Sequence, residues 1–244
     1  MAYCMRRAGA RLALAGLLIT AAALAHAAPC VVVLHGLGRT KLSMSLLAHR
    51  LEDAGFEVRN LGYPSRTGSA SKLAAVVGEG IAACRRDGHR PVHFVTHSLG
   101  GILVRAYFQR DVLPDIGRVV MLAPPNHGSE IVDCERDAGW FRWLVGAAGL
   151  ELGTGPASLP GRLAPLQLDI GVIAGTVSSD PWFSPILPGA DDGKVSVAST
   201  RLAEMRDFLT LPVGHTFIVY SRDVADQTVA FLRDGAFTHV MMQR

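Results

Sequence analysis

Thr96-His97-Ser98-Leu99-Gly100-Gly101 follows a short apolar run, residues 91–96 (PVHFVT), and precedes a helical pattern that continues to about residue 110. A serine at a strand-to-helix turn, with glycine two residues on, has the setting of a nucleophile elbow. Such a turn leaves no space for side chains at its flanks, so small residues belong two before and two after the serine. Gly100 meets the second requirement, whereas Thr96 departs from the first. Ser98 is read as a nucleophile, against the plainer reading of a serine that caps a helix.

Outward from this turn, short apolar strands alternate with longer helical patterns. Strands are expected at residues 30–35 (CVVVLH), 56–61, 91–96, 118–122 (RVVML), 170–176 (IGVIAGT) and 208–211, and helices at 41–55, 71–85, 99–110 and 221–237. That alternation predicts a mostly parallel sheet with helices on both faces. Residues 128–168 break the rhythm. Trp140, Phe141, Trp143 and Leu144 cluster there, followed by a Gly- and Pro-rich stretch, which reads as a small inserted helical cap. The aromatic residues are expected either to wall an acyl-chain site or act as a lid, or to be the core of the inserted helix.

A serine hydroxyl needs a base to remove its proton during attack. Downstream of Ser98 the histidines are His127, His215 and His239. His215 follows the last strand on a loop, where a base would reach Ser98. His127 lies close after the fourth strand and is expected to shape the site wall, and His239 lies in the tail. An acid that orients the imidazole should follow the preceding strand. Asp191 and Asp192 stand there beside Gly193; Asp192 is preferred, with Asp191 the alternative, and Asp180 reads as a turn residue. The oxygen that becomes negative on attack needs backbone donors. Leu99 N–H, at the start of a helix, and Leu37 N–H, in His35-Gly36-Leu37-Gly38, are the candidates.

The chain of 244 residues is 49% hydrophobic and 18% charged, enough apolar material for one domain with a large core. Arg6, Arg7 and Arg11 precede the apolar run at residues 12–25, and Ala25-His26-Ala27 resembles a cleavage site. Residues 1–27 are therefore expected to be a cleaved signal peptide and 28–244 a single exported domain, periplasmic or secreted. Cleavage removes three of the 24 basic residues and no acid, leaving basic and acidic residues equal at 21. Nothing in that balance points to nucleic acid as a partner. Cys30, Cys84 and Cys134 remain, an odd number that allows one pair and one free thiol in an oxidising compartment.

VVVLHGLG (31–38), THSLGG (96–101), PPNHGSE (124–130), ADDGKVSV (190–197) and GH (214–215) together resemble the motifs of bacterial lipases and esterases of the α/β-hydrolase superfamily. The resemblance runs the length of the chain in the family's order. It implies the α/β-hydrolase fold, Ser98 as nucleophile, Asp192 as acid, His215 as base, and Leu37 and Leu99 as oxyanion donors. It also implies a small-molecule or lipid ester as substrate, with transient contact at a lipid surface. PPNHGSE departs from the family's P-H-x-G-S order, so His127 carries over only as a residue lining the site. No acidic set matches the family's calcium sites, so no metal and no cofactor are expected. The fold further implies a Cys30–Cys84 disulfide at the N-terminal edge of the sheet. Thioesterase, amidase or acyltransferase chemistry on the same three residues is the alternative, and a non-catalytic binding module is a more distant one.

Overall fold

A computed structural model describes residues 28–110, 113–178, 180 and 182–239. The signal-peptide reading of residues 1–27 lies outside them. Six strands form one sheet: β1 (Cys30–Leu34), β2 (Glu57–Leu61), β3 (Val92–His97), β4 (Ile116–Leu122), β5 (Ile170–Gly175) and β6 (Asp207–Leu211). Their order across the sheet is β2-β1-β3-β4-β5-β6, and every neighbouring pair is parallel. The expected mostly parallel sheet is thus parallel throughout the described residues. Its helices are α1 (Ser45–Asp53), α2 (Ala70–Leu73), α3 (Ala75–Arg86), α4 (Leu99–Tyr107), α5 (Glu130–Glu135), α6 (Gly139–Leu150), α7 (Leu159–Arg162), α8 (Val197–Thr200) and α9 (Arg222–Asp234).

Alternation along the strands divides the core in two. Val32, Leu34, Phe94, Met121 and Val172 point to one face and pack with α2, α3, α4 and the segment that holds α5, α6 and α7. Val31, Val33, Val95, Val120 and Ile173 point to the other and pack with α1 and α9. A sheet covered on both sides needs strands apolar at every position, which is why CVVVL reads as an unbroken run. Helix α9 shows how the local sequence sets an element's limits. The Ser221 hydroxyl accepts the Val224 N–H at 3.4 Å, and Gly235, at φ 77°, turns the chain out of the helix. Between these ends Val224, Phe231 and Leu232 bury one face.

Several boundaries differ from expectation, among them the ends of α4 at Tyr107 and α9 at Asp234, each about three residues early. The helix expected at 41–55 begins as a 3₁₀ turn (Lys41–Met44), and the one at 71–85 is divided at Ala74. Strand β4 starts at Ile116, two residues earlier than expected, because Gly117 weakens the strand pattern there. Gly117 is required by the neighbouring ring: a Cβ on it would stand 2.5 Å from His93 Nδ1. Arg118 N–H donates to that same nitrogen at 2.8 Å.

Burial, reinforced by the charge of Arg118, lowers the pKa of His93 to about 4. In the unfolded chain the ring binds its proton near 6.5, so the unfolded state takes up more protons between those values. The contribution is present above pH 6.5 and is lost as pH falls toward 4, amounting to roughly 3 kcal/mol at most. Urea midpoints measured from pH 7 down to 4 should fall, and less steeply in a His93→Gln variant. Parallel curves for the two proteins would remove His93 from the acid response.

Cys30, at the start of β1, and Cys84, near the end of α3, are joined by a disulfide with Cα atoms 5.9 Å apart. Both lie at the N-terminal end of the sheet, opposite Ser98. Cys134 is a free, exposed thiol. Among the described residues no helix is long and apolar enough to cross a membrane.

Candidate active site

Ser98 occupies the turn between β3 and α4 with φ 51° and ψ −119°, a conformation that a residue with a Cβ adopts only under strain. Its backbone is fixed by donation of its N–H to Leu122 O at 2.9 Å. The glycines around it are demanded by close approach. A Cβ on Gly100 would stand 2.9 Å from Leu34 O and 3.1 Å from His35 O, so the first turn of α4 rests directly on the end of β1. A Cβ on Gly36 would meet His97 Nδ1 at 2.8 Å. The departure at Thr96 finds its explanation at Gly101. The Thr96 hydroxyl lies 3.3 Å from where a Gly101 Cβ would be, so the second glycine makes room for the larger residue.

The loops after β5 and β6 bring Asp192 and His215 together. Asp192 is fully buried, and its Oδ2 accepts a hydrogen bond from His215 Nδ1 at 2.7 Å. Its Oδ1 accepts the N–H groups of Lys194 at 3.0 Å and Val195 at 2.9 Å. A carboxylate only accepts, so the proton belongs on Nδ1 and the lone pair on Nε2. The histidine's backbone is held on both sides: His215 N–H donates to Asp192 O at 2.9 Å, and His97 Nε2 donates to His215 O at 3.0 Å. Burial, followed by the neighbouring His215 imidazole, holds the His97 pKa well below the usual histidine range, which keeps that ring neutral. Asp191 turns elsewhere, its Oδ1 accepting Gly193 N–H at 2.7 Å and the Ser184 hydroxyl at 3.0 Å. Asp180 pairs with Lys194 at 3.0 Å. His239, in the tail, contacts Asp207.

The loop after β1 is braced from the loop after β2. His35 Nδ1 donates to Gly36 O at 2.9 Å, and its Nε2 accepts Tyr63 N–H at 3.2 Å. The two rings stack 4.1 Å apart, and the Tyr63 hydroxyl donates to His35 O. Gly38 N–H donates to the Ser65 hydroxyl at 3.0 Å. Among the described residues, the amides of Leu37 and Leu99 donate to no protein acceptor.

Ser98, His215 and Leu37 line one cavity of about 320 Å³. Its apolar wall comes largely from the segment expected to form a cap: Ile131, Val132, Phe141, Val145 and Leu152. Helix α6 bends at Gly146 (φ 65°), which lies against the backbone of Arg66. Of the cluster expected to wall the site, Phe141 and Leu144 line the cavity, whereas Trp140, Trp143 and, after β4, His127 do not. Phe141 and Val145 are four residues apart and share the inner face of α6, while Trp140 and Trp143 fall on the outer face, 53% and 77% exposed. His127 is also exposed and outside the cavity wall. In its place Asn126 turns inward, fully buried, donating to Thr200 O at 2.8 Å and accepting from Arg105.

Residues 31–242 match the profile of a family described as the alpha/beta hydrolase family. The chain belongs to the alpha/beta hydrolase family. No curated protein sequence matches it. Among solved structures, this alpha/beta hydrolase is similar to the mature Bacillus licheniformis lipase BlEst2, with TM-score 0.66 and 20% identity over 79% of this chain and 87% of that one. Phospholipase PlaB from Legionella pneumophila aligns with TM-score 0.64 and 17% identity over 86% of this chain and 60% of that one. An extracellular alpha/beta-hydrolase from a Paenibacillus species aligns with TM-score 0.52 and 14% identity over 84% and 100%. At such identities the likeness is one of fold.

Five polar residues of this hydrolase's cavity were given no role from the sequence: Arg39, His97, Ser129, Lys194 and Thr216. Lys194 lies within ADDGKVSV and Thr216 directly after His215, so adjacency to expected site residues was the available signal. Arg39 directly follows Gly38 of the loop after β1. Its partner, the Thr216 hydroxyl at 3.1 Å, is 177 residues away in the chain.

Proposed function

We propose that this alpha/beta hydrolase is a serine esterase or lipase that hydrolyses carboxylic esters through an acyl-enzyme. The observation that carries the reading is the 2.7 Å hydrogen bond to the buried carboxylate of Asp192 from His215, which lines one cavity with Ser98. Ser98 attacks the ester carbonyl while His215 Nε2 takes its proton. Asp192 holds the tautomer and stabilises the imidazolium. The amides of Leu37 and Leu99 receive the developing oxyanion, each such donor being worth about 10²–10³ in rate. His215 then passes the proton to the leaving alcohol, and water releases the acid by the reverse route. No cofactor enters the scheme.

The acyl chain lies along Phe141, Val145 and Leu152, under a cap formed by residues 128–168 of the single domain. A cavity near the lower end of the range for small-molecule sites favours short to medium chains. The exposed Trp140 and Trp143 on the outside of α6 give the protein a contact for a lipid surface. Export through residues 1–27, to a periplasm or beyond the cell, suits the Cys30–Cys84 disulfide.

Labelling with a fluorophosphonate probe, followed by peptide mass spectrometry, should locate the adduct on Ser98. An adduct elsewhere, or none in folded protein, contradicts the proposal. Rates on a matched oxygen ester, thioester and amide should favour the oxygen ester; a dominant rate on either of the others moves the activity to that class.

A further inference from the structure

Among the described residues, the wall of the cavity carries two cations, Arg39 and Lys194, and no carboxylate. They are not equivalent. Lys194 is neutralised by Asp180 at 3.0 Å and its ammonium lies 4.4 Å over the ring of Phe183. Arg39 forms none of the ion pairs found among the described residues. The only polar partner of its guanidinium there is a neutral hydroxyl, that of Thr216, at 3.1 Å. A guanidinium has five N–H donors in a planar fork that matches a phosphate or carboxylate edge. Most of those donors therefore remain available at the mouth of a largely apolar cavity.

The position of this charge indicates which half of the substrate it meets. Arg39 is anchored to Thr216, the residue after His215, and so lies on the histidine's side of Ser98. In the proposed reaction His215 delivers its proton to the departing alcohol oxygen, so that side receives the alcohol half. The acyl half has the apolar wall of α6.

We propose that Arg39 forms an anion subsite, selecting esters whose alcohol half carries a phosphate or carboxylate close to the scissile oxygen. This rests on the esterase reading above and specifies the substrate of that site. The subsite acts mainly through binding, because the anion is already present in the ground state, so it lowers KM more than it raises kcat. A charge-assisted hydrogen bond at a partly exposed rim is worth about 10–100-fold in kcat/KM.

The test uses three hexanoyl esters, short enough to stay monomeric so that no charged micelle surface confuses the comparison. They are 1-hexanoylglycerol, 1-hexanoylglycerol 3-phosphate and 3-hexanoylglycerate. The protein should favour at least one of the two charged esters over the neutral one by about 10–100-fold in kcat/KM, mostly through KM. The phosphate and glycerate arms separate the two anions. In Arg39→Gln the charged ester should lose at least ten times more than the neutral ester, with Arg39→Lys intermediate because it keeps the charge but not the fork. Added salt should shrink the preference. Indifference to both anions, a preference for the neutral ester, or an equal loss on all three esters in Arg39→Gln overturns the subsite. In those cases Ser98 labelling and turnover of the neutral ester still stand for the esterase. No turnover of any ester, with Ser98 unlabelled, removes the esterase reading and this inference together.

Discussion

Ser98→Ala is expected to lower kcat/KM on p-nitrophenyl butyrate by about 10⁴–10⁶-fold, the range found when a nucleophile of this kind is removed. The loss should appear without a loss of stability. Alanine has the same Cβ as serine, so it inherits the strained conformation at φ 51° and ψ −119° and should melt at nearly the same temperature. Glycine tells more. In Ser98→Gly the Cβ is gone and the strain, about 1–3 kcal/mol, is released against a smaller entropic penalty in the unfolded chain. The glycine variant should therefore be inactive and more stable, with a melting temperature several degrees above the parent protein. Equal turnover by Ser98→Ala would contradict the proposed mechanism, and a glycine variant less stable than the parent would contradict the strain argument.

Asp192→Asn should cost about 10⁴-fold in kcat/KM. The reason lies in what each carboxylate oxygen accepts. One oxygen takes the proton-bearing nitrogen of His215, and the other takes the amides of Lys194 and Val195. Asparagine offers one oxygen and one NH₂, so it can serve only one of those two sides. With its oxygen kept on the backbone amides, its NH₂ faces Nδ1, forcing the imidazole proton onto Nε2, where the base must be bare. Asp191→Asn provides the contrast. That side chain accepts from Gly193 and Ser184, which an amide oxygen also permits, so less than a tenfold effect is expected. Steady-state kinetics of the two variants at one pH, with melting curves beside them, decide the matter. A larger loss at Asp191 would transfer the acid's role to it.

The comparison of Asp191 with Asp192 also shows where sequence reading reaches its limit. Two adjacent carboxylates at a glycine turn are equivalent in one dimension. Only the course of the loop, with Asp192 aimed at His215 and Asp191 tied back to Ser184, separates them. The architecture was more legible, because strands buried on both faces declare themselves as runs such as CVVVL. The order of the family's motifs also supplied the candidate residues from 37 to 215. The cap was legible as an interruption but not in detail. Clustering Trp140, Phe141 and Trp143 by composition ignored helical phase, which turns only Phe141 inward. His127 was misjudged because a neighbour, Asn126, makes the inward turn and satisfies buried backbone there. Arg39 left almost no trace, since its proposed role depends on having no carboxylate beside it among the described residues.

The placement of the Cys30–Cys84 bond at the N-terminal end of the sheet divides longevity from speed. Strand β1 has five residues, so its cross-linked end and the loop bearing Leu37 are separated by roughly 15 Å. Cutting the bond frees a stretch of 54 residues in the unfolded chain, worth roughly 4 kcal/mol on chain-entropy grounds, yet it touches no group beside Ser98. A freshly prepared Cys30→Ala/Cys84→Ala double variant, needed because both sulfurs are buried from a reductant, should run at full pace, whereas its half-life on warming should shorten markedly. An immediate slowing would mean that the clamp governs the catalytic end as well. Otherwise a reducing compartment would spare the chemistry and shorten only the time for which each molecule survives to perform it.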